Sequence, residues 1–249
     1  MRSIAFAGKG GTGKTTLAGI LIRFLVEKGL TPVLAVDADA NANLNEVLGL
    51  EVTETLGQAR EEMKKGVGSG MTKDVFMEMK LQEAVVEADG FDLIVMGRPE
   101  GAGCYCAANS LLTQYLDKLI GNYRFIVMDN EAGMEHLSRL TTNNIDALVV
   151  VSDPTRRGLQ AASRIVNLAE ELKLNIKDKY VLVNLAKDGQ GEEIKEAAAG
   201  FGLELIGIVP ENEDIRSYDL KGIPTMELPE DNRALSAAYD IFDKLISSF

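Results

Sequence analysis

The chain has 249 residues, enough for one large α/β domain with a well-buried core, and its 46% hydrophobic and 26% charged content is ordinary for a globular protein. A formal net charge of −12 argues against a sequence-independent grip on DNA or RNA, which depends on Lys and Arg against phosphates. The same charge disfavours docking on an anionic membrane surface, and the only two cysteines, Cys104 and Cys106, make no disulfide framework.

The first residues lack the charged and apolar regions of a secretory leader, and no apolar run approaches the length of a membrane span. A cytoplasmic location is expected, without nucleic acid or membrane among the partners.

In chain order, an apolar run at 3–7 reads as a strand and leads into Gly8-Lys9-Gly10-Gly11-Thr12-Gly13-Lys14-Thr15, the pattern G-x-x-x-x-G-K-[ST]. A loop that wraps a triphosphate must point consecutive backbone N–H groups inward, and glycines permit both the dihedrals and the close approach. On that chemistry Lys14 reaches the β- and γ-phosphates of ATP and the Thr15 hydroxyl ligates Mg²⁺. The helix expected at 14–27 carries Thr15 and Thr16 in its first turn and adds its positive N-terminal end.

The second strand, at 32–36, ends in Asp37-Ala38-Asp39, where ligands of parallel sheets bind. The stretch 53–80 holds Met63, Met71, Met77 and Met79 around a glycine-rich segment and is expected to be a mobile insertion. Methionines on helices are usually core or interface filler. A helical pattern follows at 73–88, then a strand at 91–96, a Gly103-Cys104-Tyr105-Cys106 segment and a helix at 110–120. The strand at 125–128 ends in Asp129, ahead of a helical pattern at 134–143. Strands at 147–151, 180–183 and 203–209 alternate with helices at 158–172 and 192–199, and a last helix starts at about residue 232. The strand runs are mostly apolar instead of alternating, as expected when both faces are covered. The alternation implies one α/β domain over 1–249, with a mostly parallel twisted sheet of about seven strands and helices on both faces.

Lys9 to Thr16 read K-G-G-x-G-K-T-T, which resembles the deviant P-loop of the ATPases for septum placement, plasmid partition, nitrogenase reduction and metallocluster maturation. The resemblance implies that Lys9 crosses a dimer interface to the partner's nucleotide, so that a homodimer closes over ATP. It further implies that Asp37 supports Mg²⁺, that Asp39 orients the attacking water and that Asp129 opens a γ-phosphate-sensing switch. Lys9, Lys14, Asp39 and Asp129 are then the catalytic set. Asn184 and Pro210, each following a strand, resemble the base-binding positions; Leu185 stands where a basic residue is usual, which leaves the part of Lys187 open.

Two thiols at i and i+2, flanked by glycine and close to a helix N-terminus, are placed to become thiolates. One C-x-C pair supplies two ligands where a soft metal usually takes four, and a two-fold axis would bring the second pair. The only histidine, His136, is given no catalytic role. The deviant P-loop, the C-x-C pair and the run Asp129-Asn130-Glu131-Ala132-Gly133-Met134-Glu135-His136-Leu137 together resemble nickel-insertion ATPases of the CooC/AcsF type. That resemblance implies one Ni²⁺, or Zn²⁺ in its place, held by four thiolates from Cys104 and Cys106 of two protomers. ATP hydrolysis would drive its delivery to a client, carbon monoxide dehydrogenase or acetyl-CoA synthase.

Two other readings stand beside it. An iron–sulfur electron-transfer ATPase resembling the nitrogenase iron protein needs a cysteine after the second switch, and residues 129–137 have none. A spatial regulator of the septum or partition kind needs a basic amphipathic tail or a DNA-binding surface. The last helix has apolar spacing at Leu235, Tyr239, Phe242, Leu245 and Phe249, but with Asp240 and Asp243 it is expected to pack on the domain.

Overall fold

The apolar runs assemble into an eight-stranded sheet in a computed structural model that describes residues 1–66, 72–97, 120–130 and 145–249. The strands are β1 (Arg2–Gly8), β2 (Val33–Ala38), β3 (Val85–Ala88), β4 (Phe91–Val95), β5 (Phe125–Asn130), β6 (Ile145–Ser152), β7 (Ile176–Ala186) and β8 (Leu205–Pro210). Their order is β3-β4-β2-β5-β1-β6-β7-β8, and every pairing except β3–β4 is parallel. The described helices are α1 (Lys14–Glu27), α2 (Leu44–Leu48), α3 (Leu56–Lys65), α4 (Lys73–Glu83), α5 (Arg156–Glu171), α6 (Gly191–Gly200), α7 (Glu213–Lys221) and α8 (Arg233–Ser247).

Successive strand residues serve opposite layers, as the two-residue repeat of a strand requires. In β1, Ile4 and Phe6 join the layer under α1 and α8, whereas Ala5 and Ala7 join the layer under α5. β2, β5 and β6 divide in the same way. This is why the inner strand sequences are mostly apolar instead of alternating. α8 buries Leu235, Ala238, Ile241, Phe242 and Leu245, and Phe242 meets Phe6 edge-on at 6.5 Å between ring centroids.

The extra strand corrects the reading of 73–88 as one helix. α4 stops at Glu83, and Val85–Ala88 turns back against β4 through a two-residue Asp89-Gly90 turn. Val85 and Val86 are β-branched and favour the strand, and Gly90 takes the positive φ of 82° that such a turn demands. The stretch 53–80 carries α3 and most of α4. Thr55 and Gln58 form a capping box at the start of α3, and the Lys80 ammonium joins Glu62 and Glu83 at 2.9 Å each.

Cys104, Cys106, Met71, His136 and the helix expected at 134–143 lie outside the described residues, as does nearly all of that expected at 110–120. Among the described residues no helix is long and apolar enough to cross a membrane.

Candidate nucleotide-binding site

All the parallel strands deliver their carboxyl ends to one edge of the sheet, so Gly8, Asp37, Asp129, Asn184 and Pro210 gather there despite their distance in sequence. The loop after β1 runs through Lys9, Gly10 and Gly11 to Gly13, which caps α1 with φ 84°. A Cβ on Gly13 would lie 2.4 Å from Asn184 Nδ2, so both the backbone and the neighbour require glycine. The Thr12 hydroxyl donates to the Lys9 carbonyl at 2.9 Å, and Lys14 Nζ donates to the same oxygen at 3.3 Å. The Lys9 residue itself is exposed.

Register places Asp37 on β2 directly beside Asp129 on β5. The Asp37 carboxylate is fully buried and accepts from the Asp39 N–H at 3.0 Å and the Leu44 N–H at 2.9 Å, so it caps α2. Burial pushes its pKa up to about 7, with the Asp129 charge adding and the two backbone N–H groups opposing. Burial likewise raises Asp129 to about 6, against the Thr15 hydroxyl that donates to it and the Lys14 ammonium nearby. Desolvation lowers Lys14, and the charges of Asp129 and Asp39 hold it up. Asp39 is half-buried and accepts from the Asn41 N–H at 2.8 Å.

Asp129 Oδ1 is buried and has no hydrogen-bond partner among the described residues. A bare carboxylate oxygen beside the Thr15 hydroxyl is a hard-oxygen donor pair, and a divalent cation would relieve the crowding of carboxylates around it. Mg²⁺ therefore fits these residues. Among the described residues no group of three or more His, Cys, Asp or Glu is arranged to hold a metal unaided. Phosphate oxygens and water would have to complete its shell, as is usual for Mg²⁺.

Two cavities flank the loop. One, of about 380 Å³, is walled by Thr16, Leu17, Asn184, Leu185, Pro210 and Ile215 among others. The other, of about 390 Å³, shares Gly11, Gly13, Thr16 and Asp219 with it and adds Lys14, Thr15 and residues of α2. Both expected base-binding residues, Asn184 and Pro210, thus face the same space, and Asn184 Nδ2 donates to the Thr12 carbonyl at 2.9 Å. Lys187 is absent from the described wall; its N–H donates to the Gln190 side chain.

Sequence reasoning missed α2 and α7, which supply Glu46, Val47, Ile215 and Asp219 to the cavities. The signal for α7 was present: Asn212 as cap, Glu213 and Asp214 in the first turn, and Gly222 in the left-handed conformation at the end.

Residues 4–225 match the family model described as the CobQ/CobB/MinD/ParA nucleotide binding domain. The chain is 47% identical over 249 residues to an uncharacterized ATP-binding protein of Methanocaldococcus jannaschii, with 98% of each covered. It is 32% identical over 240 residues to the carbon monoxide dehydrogenase accessory protein CooC of Rhodospirillum rubrum, covering 90% of this chain and 89% of that one. Its fold matches the septum site-determining protein MinD of Pyrococcus horikoshii complexed with Mg-ADP, with a TM-score of 0.73 and 25% identity over 98% of this chain and 95% of that one. The matched span runs from β1 to Thr225 in the cavity wall and so takes in the whole site just described. The chain belongs to the CobQ/CobB/MinD/ParA family of P-loop nucleotide-binding proteins.

Proposed function

We propose that the protein is an Mg-ATP-driven switch that carries a nickel ion and inserts it into the metallocluster of carbon monoxide dehydrogenase or acetyl-CoA synthase. The observation that carries the reading is the near full-length likeness to CooC in a chain whose only two cysteines are spaced C-x-C. The protein acts as a single cytoplasmic P-loop domain over residues 1–249.

The loop N–H groups and Lys14 hold the β- and γ-phosphates. Thr15 and Asp129 hold Mg²⁺, with Asp37 in support; the bound ion neutralises charge on the phosphates. Asp39 orients the water that attacks the γ-phosphate. Thr12 and Thr16 line the phosphate path, while Asn184 and Pro210 receive the adenine. Lys9, exposed at the mouth of the loop, reaches the second protomer's nucleotide. Cys104 and Cys106 from both protomers take Ni²⁺, with Zn²⁺ as a competitor, in an S₄ site on the dimer axis. ATP that binds one dimer geometry better than another then shifts the metal between held and released states.

A second reading, a spatial regulator of the septum type, draws on the likeness to MinD. Weighing against a membrane-docking version is α8, whose apolar side is already taken up by the core. Equilibrium titration with Ni²⁺, wild type against the Cys104→Ala/Cys106→Ala double variant and with size-exclusion mass alongside, separates the two. One Ni²⁺ per dimer, lost in the double variant, is expected. No cysteine-dependent binding would sink the metal-insertion reading and leave the spatial one.

A further inference from the structure

After a first register shift between Val181 and Leu182, β7 and β8 pair Leu182 with Gly207 and Val183 with Ile208, and the pairing then resumes at Ala186 opposite Pro210. Three steps on β7 therefore face two on β8, so β7 carries one extra residue. Asn184 and Leu185 occupy this bulge. Asn184 turns inward to the P-loop, where its Nδ2 meets the Thr12 carbonyl at 2.9 Å. Leu185 is left at φ 60°, in the left-handed region where glycine or asparagine is at home.

Leu185 is also 40% exposed and stands in the wall of the cavity of about 380 Å³, together with Val209, Pro210 and Ile215. In the free protein that position is unfavourable twice over: the backbone is strained, and apolar surface faces water. Neither the sheet nor the core uses the side chain. Both costs have one explanation if a flat apolar surface covers the leucine when the site is filled. The phosphate loop borders the same cavity, so the covering group belongs to a molecule that also carries phosphates. A nucleobase meets both conditions.

We propose that Leu185 is a base-contact residue: its side chain covers one face of the purine of bound ATP, and the β7 bulge holds it in the left-handed conformation for that contact. The inference rests on the nucleotide reading of the two cavities and is independent of nickel. It makes the β7 side of the base pocket aliphatic, so that side grips by dispersion and exclusion of water instead of by charge. Ile215 and Arg216 are contributed from α7.

The test measures Kd for Mg-ATP and for magnesium tripolyphosphate, which has no base, in wild type, Leu185→Asn and Leu185→Met, together with the thermal midpoint of each nucleotide-free protein. Leu185→Asn is expected to bind Mg-ATP about three- to ten-fold more weakly, with tripolyphosphate unchanged. Its nucleotide-free midpoint should rise, because asparagine tolerates the left-handed backbone. Leu185→Met should keep the ATP affinity within about two-fold. Unchanged ATP affinity in Leu185→Asn overturns the proposal. Equal weakening of both ligands overturns it too, because the residue would then act through Asn184 on the phosphate loop. A wild type that binds ATP no tighter than tripolyphosphate refutes the base-pocket reading itself, a distinct failure.

Discussion

Asp37 and Asp129 lie side by side because β2 and β5 run in register, and burial is the largest influence on the acidity of each. Their folded pKa values, about 7 and about 6, lie above the value of 3.8 for a free side chain. Between those limits the native state binds more protons than the unfolded chain, so this pair makes the protein less stable as pH rises. Asp129→Asn should therefore raise the thermal midpoint of the nucleotide-free protein, by more at about pH 8 than at about pH 5. Thermal melts at the two pH values check the sign, and a phosphate-release assay on the same variant should show hydrolysis lost. Mg-nucleotide should reduce the pH dependence of wild type. At this scale the sequence was informative wherever the local backbone dictates the residue type, as at Gly13 and Lys14. It marked Leu185 only as standing where a basic residue is usual and gave no sign of its strained backbone, which comes from a mismatch between two strands. The four-thiolate site proposed for Cys104 and Cys106 would likewise depend on a second chain.

Elements are tied to the site by caps. Asn232 accepts from the Ala234 and Leu235 N–H groups at 3.0 and 3.1 Å and so starts α8. Its Nδ2 donates to Asn212 Oδ1 at 3.0 Å, and Asn212 in turn caps α7, which walls both cavities. One buried amide thus joins the last helix to the nucleotide pocket. Asn232→Ala should lower stability by about 1–2 kcal/mol. It should also weaken Mg-ATP binding a few-fold, because α7 loses its anchor; a denaturation series and an ATP titration read the two effects. The long elements, α1 and the inner strands, were legible because their apolar patterns are unbroken over the whole length. α2 and β3 were not. Five helical residues and four strand residues are too short for a periodic signal, and both are held by tertiary partners: the Asp37 carboxylate for α2, β4 for β3. The Asp89-Gly90 turn, directly after the pattern taken as helical, was nonetheless a readable hairpin signal.

At the scale of the molecule, the role proposed for Lys9 distinguishes a pocket shared between two protomers from one that a single protomer completes. The residue is exposed, and only its carbonyl takes part in the hydrogen bonds found for it. Lys9→Ala should leave the thermal midpoint of the nucleotide-free protein within about 1 °C, since an exposed substitution away from caps and core changes stability little. The same variant should lose ATP-dependent dimerisation, measured by light scattering after size exclusion. A dimer that persists with ATP would remove Lys9 from the interface.

The strand that ends the sheet beyond β4 has a consequence for how copies of the chain meet. β3 is only four residues long, and its Glu87 stands opposite Asp92 on β4. Short edge strands that carry charge are poor templates for a further strand. A copy approaching that margin finds few free backbone groups and two carboxylates, so ribbon-like growth and fibre formation are discouraged there. Association between copies of the chain is thereby disfavoured along this margin of the sheet.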